Sequence, residues 1–236
     1  MGSAPGRPRS PATRRRSVPS QAAALPASYL SRIDWSLFHT LNGLLRRDDP
    51  AQDAAEIFNA WAIFALVAVA AATWFFAQPG GSTRSKLAAA SAGASAVVAL
   101  LANAALGHLW YHARPFVDHP RQTVLLVHHG ADNSFPSDHA SVAFAVAFTV
   151  LVFHRRLGLL LVAGAVAVGL DRMFVGVHYP IDVATSVLVG FGSALLVTLA
   201  GRRYIAWFVR LVSRISDPVV LSITRKIAAV RRSGRD

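Results

Sequence analysis

Residues 140–170 read ASVAFAVAFTVLVFHRRLGLLLVAGAVAVGL, two apolar runs on either side of a basic triplet at 154–156. Each run is short for crossing about 30 Å of hydrocarbon, which takes roughly 20 residues of helix. A single helix through both runs would place two arginines near the middle of a bilayer, at about 2.5–3.5 kcal/mol each. A turn at the triplet costs less. The stretch therefore predicts a hairpin of two membrane spans, Ala140–Phe153 and Leu157–Leu170.

The composition of the whole chain is also that of a membrane protein. Of its 236 residues, 53% are hydrophobic and 15% are charged, with a mean hydropathy of +0.41, whereas soluble domains average roughly 45–50% and about 25%. Such a chain has room for four to six spans, which rules out a large soluble domain. Because it contains no cysteine, disulfide frameworks, zinc–thiolate sites, iron–sulfur clusters and thiol nucleophiles are excluded.

Three further apolar stretches complete the predicted spans. Ile57–Ala77 and Leu87–Trp110 contain no Asp, Glu, Lys or Arg and are long enough to cross a bilayer. The last span runs from about Pro180 to Ala200, since proline suits the first turn of a helix. The predicted fold class is all-α, an integral-membrane helical bundle with about five transmembrane spans plus interfacial amphipathic helices.

The composition divides the chain into four parts. The first is rich in Pro, Ser, Ala and Arg without apolar periodicity, which predicts disorder, and its apolar patch is too short for a cleaved signal peptide. An amphipathic helix capped by Ser31 is expected on the membrane surface, and a basic one follows the last span until Pro218 breaks it. The expected parts are a disordered basic tail (1–30), an interfacial helix and loop (31–53), a membrane domain (54–200) and a basic amphipathic C-terminal tail (201–236).

The net charge of +12 lies mostly in the two tails. Without an aromatic-lined binding module, this distribution favours attraction to anionic membrane lipids over binding to nucleic acid. The sequence indicates no obligate protein partner.

The residues that suggest chemistry lie in two loops, 111–138 and 171–179, which five spans place on one side of the membrane together with the N-terminus. They are Arg114-Pro115, Pro136-Ser137-Asp138-His139, Arg172, His178 and Asp182. Taken singly, each has an ordinary explanation, such as an interface anchor or a helix cap. Together, two arginines, two histidines and a helix N-terminus form an anion site, because guanidinium groups match phosphate oxygens and unpaired backbone N–H groups point at them. The expected ligand is a phosphate ester.

The spacing of the site residues suggests their roles. His178 and Asp182 are four residues apart, so the carboxylate can hold one ring nitrogen and leave the other to attack phosphorus. Pro180 makes a regular helix through His178 unfavourable, so the contact is expected across a first turn. His139, at the start of the third span, is placed to protonate the leaving oxygen, with a helix-end hydrogen bond as the structural alternative.

These residues resemble the type 2 phosphatidic acid phosphatases, membrane lipid phosphate phosphatases with the pattern Lys-x6-Arg-Pro, Pro-Ser-Gly-His and Ser-Arg-x5-His-x3-Asp. The resemblance covers roughly Ile57–Ala200. The departures are Gly107 at the lysine, Asp138 at the glycine and Asp171 at the serine. Without the lysine, affinity for a single phosphate is expected to suffer.

The resemblance implies a helical-bundle phosphatase domain and hydrolysis without a metal or other cofactor. It implies a phosphohistidine on His178, oriented by Asp182, and acid–base action by His139. It also implies phosphate binding by four groups, namely Arg114, Ser137, Arg172 and the backbone of Asp138. His108 and His112 have the spacing of a zinc pair, but loop 111–138 contains no Glu and the matched motifs use no metal.

Pro-Ser-Asp-His at 136–139, together with Trp110–Phe116 and Val175–Pro180, looks most like the bacterial undecaprenyl-diphosphatase branch, which recycles the polyprenyl carrier of cell-wall synthesis. The expected activity is hydrolysis of undecaprenyl or decaprenyl diphosphate to the monophosphate in the bacterial plasma membrane. Because the opposite side carries more Lys and Arg near span ends, the site is expected on the extracytoplasmic face. The alternatives are a phosphatidic acid or phosphatidylglycerol phosphate phosphatase and a non-catalytic lipid-binding scaffold.

Overall fold

The computed structural model describes residues 29–76 and 83–233, and every regular element within these ranges is a helix. The elements are α1 (Tyr29–Leu44), α2 (Asp49–Phe76), α3 (Thr83–Leu109), α4 (Pro115–Asp118), α5 (Asp138–Phe153), α6 (Arg155–Phe174), α7 (Pro180–Leu199) and α8 (Arg202–Ser233). The predicted all-α fold class is confirmed. The tail expected at 1–30 lies outside the described residues, apart from its last two, which begin α1.

Among the described helices, α2, α3, α6 and α7 are long and apolar enough to cross a membrane. The third predicted span, α5, is apolar but has only 16 residues, about 24 Å at about 1.5 Å per residue. It packs against α3, α6 and α7, and its Ala140, Ala143, Ala147 and Val150 are completely buried. The short helix is thus the centre of the bundle, surrounded by the longer ones.

The predicted hairpin at the basic triplet is present. α5 ends at Phe153 and α6 begins at Arg155. The two helices approach closely just after the turn, since a Cβ on Gly158 would lie 2.2 Å from Cα of Leu151. Only glycine allows this backbone-to-backbone contact.

Several helix ends differ from the prediction. α2 begins at Asp49 rather than Ile57, because Oδ1 of Asp48 accepts a hydrogen bond from N of Ala51 (3.1 Å) and so caps the helix. The segment expected as a loop is therefore helical. Ser31 lies inside α1 and does not cap it.

The prediction that Pro218 ends the C-terminal helix was wrong, because α8 continues through it to Ser233. A proline removes one helical hydrogen bond and crowds the preceding turn, which weakens a helix without always ending it. The turn before the proline is held by an ion pair between Asp217 and Lys86 of α3.

α1 fastens the loops at one end of the bundle. Its Phe38 is fully buried against Met173 and Tyr179. The side chain of Asn42 accepts a hydrogen bond from N of Val124 (2.7 Å) and donates to O of Val124 (2.7 Å) and of Phe174 (2.8 Å). The N-terminal helix and the two predicted site loops thus meet on one side, as the span count predicted.

Candidate active site

The candidate site lies at the end of the bundle where α5 and α7 begin and α3 and α6 end. His139 is the second residue of α5, and Arg172 lies in the last turn of α6 rather than in a loop. Arg114 precedes α4, and His178 lies just before α7. Each of the two histidines lies close enough to both arginines for their charges to act on it.

His178 is buried, with 3% of its surface exposed, and its hydrogen bonds define its tautomer. Nη1 of Arg114, which can only donate, lies 3.2 Å from Nε2, so Nε2 must carry a lone pair. Nδ1 then carries the proton and donates it to Oγ of Ser134 (3.2 Å). Burial, with the charges of Arg172 and Arg114, lowers the pKa of His178 to about 4 despite the opposing effect of Asp182. His178 is therefore a neutral imidazole with its Nε2 lone pair toward Arg114.

Ser134 stands between His178 and the carboxylate of Asp182. Oγ of Ser134 donates to Oδ2 of Asp182 (2.6 Å), whereas Nδ1 of His178 lies 3.7 Å from the same oxygen. The direct contact expected between histidine and carboxylate is thus replaced by a serine bridge. No motif includes Ser134, because its proximity to the start of α7 depends on how a long loop folds.

Asp182 is the third residue of α7 and has no exposed surface. Its Oδ2 also accepts the N–H of Tyr179 (2.8 Å), which satisfies a donor at the helix start. Its Oδ1 accepts from Nδ1 of His112 (2.8 Å). His178, Ser134, Asp182 and His112 are called the Asp182 network below. The sequence suggested His112 only as half of a zinc pair, and its partner there, His108, is exposed.

Arg114 is buried and uses all three guanidinium nitrogens. Nε donates to Oδ1 of Asp132 (2.8 Å), Nη1 to O of Val177 (3.0 Å) and Nη2 to O of Asn133 (3.2 Å). Asp132 and Asn133 were not predicted as site residues. The guanidinium is thus fixed against both loops beside His178.

Asn133 organises the loop that carries Ser134. Its amide nitrogen donates to O of Gly107 and O of Trp110, both at 2.9 Å, and its Oδ1 accepts from N of His112 (2.9 Å). A Cβ at position 107 would lie 3.3 Å from this amide. Gly107, where the family pattern has lysine, therefore leaves room for the asparagine that positions the loop.

A second group of polar atoms, at the start of α5 and the end of α6, is called the donor cluster. It consists of Oγ of Ser137, Nε of Arg172 and the backbone N–H groups in the first turn of α5. Both side-chain atoms are buried without a hydrogen bond in the described part of the chain, although Arg172 also donates from Nη1 to Asn59. An unpaired buried donor costs about 1–3 kcal/mol. Such donors at a helix N-terminus fit an anion.

His139 is half-buried, and no hydrogen bond to it is found among the described residues. Its neighbour Asp138 directs its carboxylate away along α3, where Oδ1 accepts from Nδ2 of Asn103 (2.7 Å). Oδ1 of Asn103 in turn accepts from Oγ of Ser141 (3.1 Å). Asp138, which replaces the family glycine, therefore has a structural partner outside the site.

Comparison with known sequences finds a matching family model and several similar proteins. A model of the PAP2 superfamily matches residues 88–205. The undecaprenyl-diphosphatase BcrC of Bacillus subtilis strain 168 is 30% identical over 82% of this chain and 97% of its own. The putative undecaprenyl-diphosphatase YbjG of Escherichia coli K12 is 43% identical over 39% of this chain and 46% of its own.

Two solved structures share the fold. LpxE of Aquifex aeolicus aligns with a TM-score of 0.56 and 20% identity over 70% of this chain and 93% of its own. The transmembrane PAP2-type phosphatidylglycerolphosphate phosphatase of Bacillus subtilis aligns with a TM-score of 0.52 and 20% identity over 72% and 86%.

Proposed function

This chain belongs to the PAP2 superfamily and is a multi-pass membrane phosphatase acting on lipid phosphates; we propose that its substrate is a polyprenyl diphosphate, undecaprenyl or decaprenyl, hydrolysed to the monophosphate. The similarity to the Bacillus subtilis undecaprenyl-diphosphatase over nearly the whole of that protein supports this substrate. The reaction would recycle the lipid carrier of cell-wall synthesis.

One observation carries the chemistry: His178, a neutral histidine, lies near Arg172, whose buried Nε has no hydrogen-bond partner among the described residues, and Oγ of Ser137 is likewise unpaired there. Ser137, Arg172 and the N–H groups at Asp138 would bind the oxygens of the terminal phosphate. The Nη1–H of Arg114 would change its hydrogen-bond acceptor from Nε2 of His178 to a phosphoryl oxygen. This change frees the lone pair of Nε2 for attack. Donors held in place before the reaction stabilise the developing charge without reorganising.

In the first step Nε2 of His178 attacks the terminal phosphorus. The bond from this phosphorus to the bridging oxygen breaks, and prenyl monophosphate takes a proton from His139. The negative charge of the bound diphosphate would stabilise the protonated form of His139 against the charges of Arg172 and Arg114. Ser134 and Asp182 hold the ring through Nδ1–H while Nε2 becomes bonded to phosphorus.

In the second step water hydrolyses the phosphohistidine. His139, now neutral, takes a proton from the water as its oxygen attacks phosphorus. The phosphorus–nitrogen bond breaks, inorganic phosphate leaves, and the lone pair returns to Nε2 of His178.

The substrate is tested with the purified full-length chain in detergent, by comparing phosphate release from undecaprenyl diphosphate, phosphatidic acid and phosphatidylglycerol phosphate. We expect the highest kcat/KM for the diphosphate. A higher value for either glycerolipid would replace the proposed substrate, and release from none of them would favour a lipid-binding scaffold.

We place the site on the extracytoplasmic face of the bacterial plasma membrane, because exposed arginines such as Arg155, Arg156, Arg202 and Arg203 lie at the opposite end of the bundle. Since the chain has no cysteine, Gly130→Cys and Arg156→Cys can be labelled with an impermeant maleimide in intact cells. A Cβ at Gly130 meets nothing closer than 4.0 Å. Labelling at 130 alone is expected, and labelling at 156 alone would reverse the orientation.

A further inference from the structure

Two histidines share the carboxylate of Asp182. His178 reaches Oδ2 through Ser134, and His112 contacts Oδ1 directly at 2.8 Å. The carboxylate has no exposed surface, so its charge is balanced by these protein groups and not by water. His112, which lies outside the three matched motifs, is therefore in direct contact with the group that orients the nucleophile.

The surroundings of His112 favour its protonated form. Burial alone would lower the pKa of His112, but the hydrogen bond and charge of Asp182, with the charges of Asp34 and Asp118, raise it above the usual value. The ring also stacks on Tyr179 at 4.8 Å. Burial raises the pKa of Asp34 to about 6, so Asp34 adds its negative charge above that pH.

The charge on Asp182 has two opposite consequences for His178. It orients the Nδ1–H through Ser134, but it also favours protonation of the ring, which would remove the Nε2 lone pair. Arg172 and Arg114 oppose that protonation from the other side, and the ring of His129 lies 6.5 Å away. A positive group bound to Oδ1 would offset the charge of the carboxylate. The hydrogen bonds through Ser134 that orient His178 would stay intact.

We propose that His112 is a positioning residue for the phosphatase reaction: as an imidazolium it fixes the carboxylate of Asp182 and offsets its charge, so that His178 stays a neutral nucleophile in acid. The inference rests on the proposed role of His178. It assigns to the loop before α4 a function in setting the pH range of the enzyme.

The backbone of His112 is held independently of its side chain. Its N–H donates to Oδ1 of Asn133 (2.9 Å), and its carbonyl accepts from N of Ser134 (2.8 Å). Substitutions of the ring should therefore leave the loop in place. His112→Asn keeps an amide donor near the position of Nδ1 without a titratable charge, and His112→Phe keeps the stack on Tyr179 without donor or charge.

The test measures kcat, KM and thermal stability of the full-length chain in detergent, across pH, for both variants and for His108→Phe as a control on an exposed histidine of α3. His112→Phe should lower kcat about 10- to 100-fold with KM unchanged, the size of one lost hydrogen bond to a charged group. His112→Asn should recover part of that loss near neutral pH.

The pH profile separates this role from a structural one. In both variants the acid limb of kcat/KM should move to higher pH, since the uncompensated Asp182 raises the pKa of His178. The difference between wild type and His112→Asn should shrink at high pH, where the wild-type ring is neutral. Substrate ionisation is common to all the proteins and cancels in this comparison.

An unmoved acid limb, or a loss of kcat matched by His108→Phe, would overturn the proposal. Each variant is compared with wild type on whichever lipid phosphate the wild type hydrolyses best. A wild type that prefers a glycerolipid therefore contradicts the proposed substrate, whereas a normal pH profile in the variants contradicts the role of His112.

Discussion

The Asp182 network and the donor cluster lie at the same end of the bundle but differ in how their polar atoms are paired. In the network, both oxygens of Asp182 and both ring nitrogens of His178 have partners, and each partner is held by further hydrogen bonds. In the donor cluster, Oγ of Ser137 and Nε of Arg172 have none within the described chain. In the proposed mechanism, the first region holds the nucleophile in a single orientation and the second binds the phosphate anion.

This contrast predicts that substitutions in the two regions affect stability and activity differently. A group already paired in the protein stabilises the fold, so removing it leaves its partner unsatisfied. A buried donor without a partner destabilises the fold and gains its partner only from the ligand. Substitutions in the network should lower both the melting temperature and the rate, whereas substitutions in the donor cluster should lower the rate with little change in the melting temperature.

The largest expected difference is between the two arginines. Arg172→Lys should lower kcat/KM about 10²–10³-fold, the loss seen when one charge-stabilising donor is removed, with a small change in thermal stability. Arg114→Lys should lower activity and also the melting temperature, because Asp132, Val177 and Asn133 lose their partners. Kinetics and thermal unfolding of both variants test this, and a larger fall in stability for Arg172→Lys would contradict it.

A smaller effect is expected for the two serines. Ser137→Ala should lower kcat/KM about 10- to 100-fold, equivalent to a hydrogen bond to a charged phosphate. Its melting temperature should stay unchanged or rise, since a buried hydroxyl without a partner is removed. Ser134→Ala, the matched change in the network, should lower both the rate and the melting temperature. Equal melting temperatures for the two variants would contradict the distinction between the Asp182 network and the donor cluster.

No effect is expected from excess EDTA. In the proposed mechanism, Arg114, Arg172 and backbone N–H groups stabilise the charge of the transferring phosphoryl group. Chelation should therefore leave phosphate release unchanged. Vanadate should inhibit with or without EDTA, since it mimics five-coordinate phosphorus. Activity lost on chelation and restored by zinc or magnesium would show that a metal supplies this charge.

The sequence predicted the positions of the apolar helices, because apolar runs are local signals. His178 lies near Arg172 and Asp182, and His139 lies near Arg172, without any long loop having to fold correctly. The ends of α2 and α8 were harder, since Asp48 caps one helix early and Pro218 does not end the other.

The partners of these residues could not be predicted in the same way. Ser134 and His112 lie 48 and 70 residues before Asp182, so their contacts depend on the fold of the loop between α3 and α5. Asn133 fixes that loop through backbone atoms of Gly107, Trp110 and His112. Such backbone contacts leave no repeating pattern in a single sequence.

The phosphohistidine on His178 is tested most directly by trapping it in His139→Ala. With p-nitrophenyl phosphate, whose leaving group needs little protonation, the first step should proceed in this variant while hydrolysis slows. The reason is that His139 is proposed to activate the water, a role worth about 10²–10⁴-fold in rate. We expect a burst of nitrophenol and an acid-labile, base-stable phosphate on His178, mapped by mass spectrometry after a basic quench. The double variant with His178→Ala should show neither. Phosphate on a residue other than His178, or a burst without any adduct, would contradict the account.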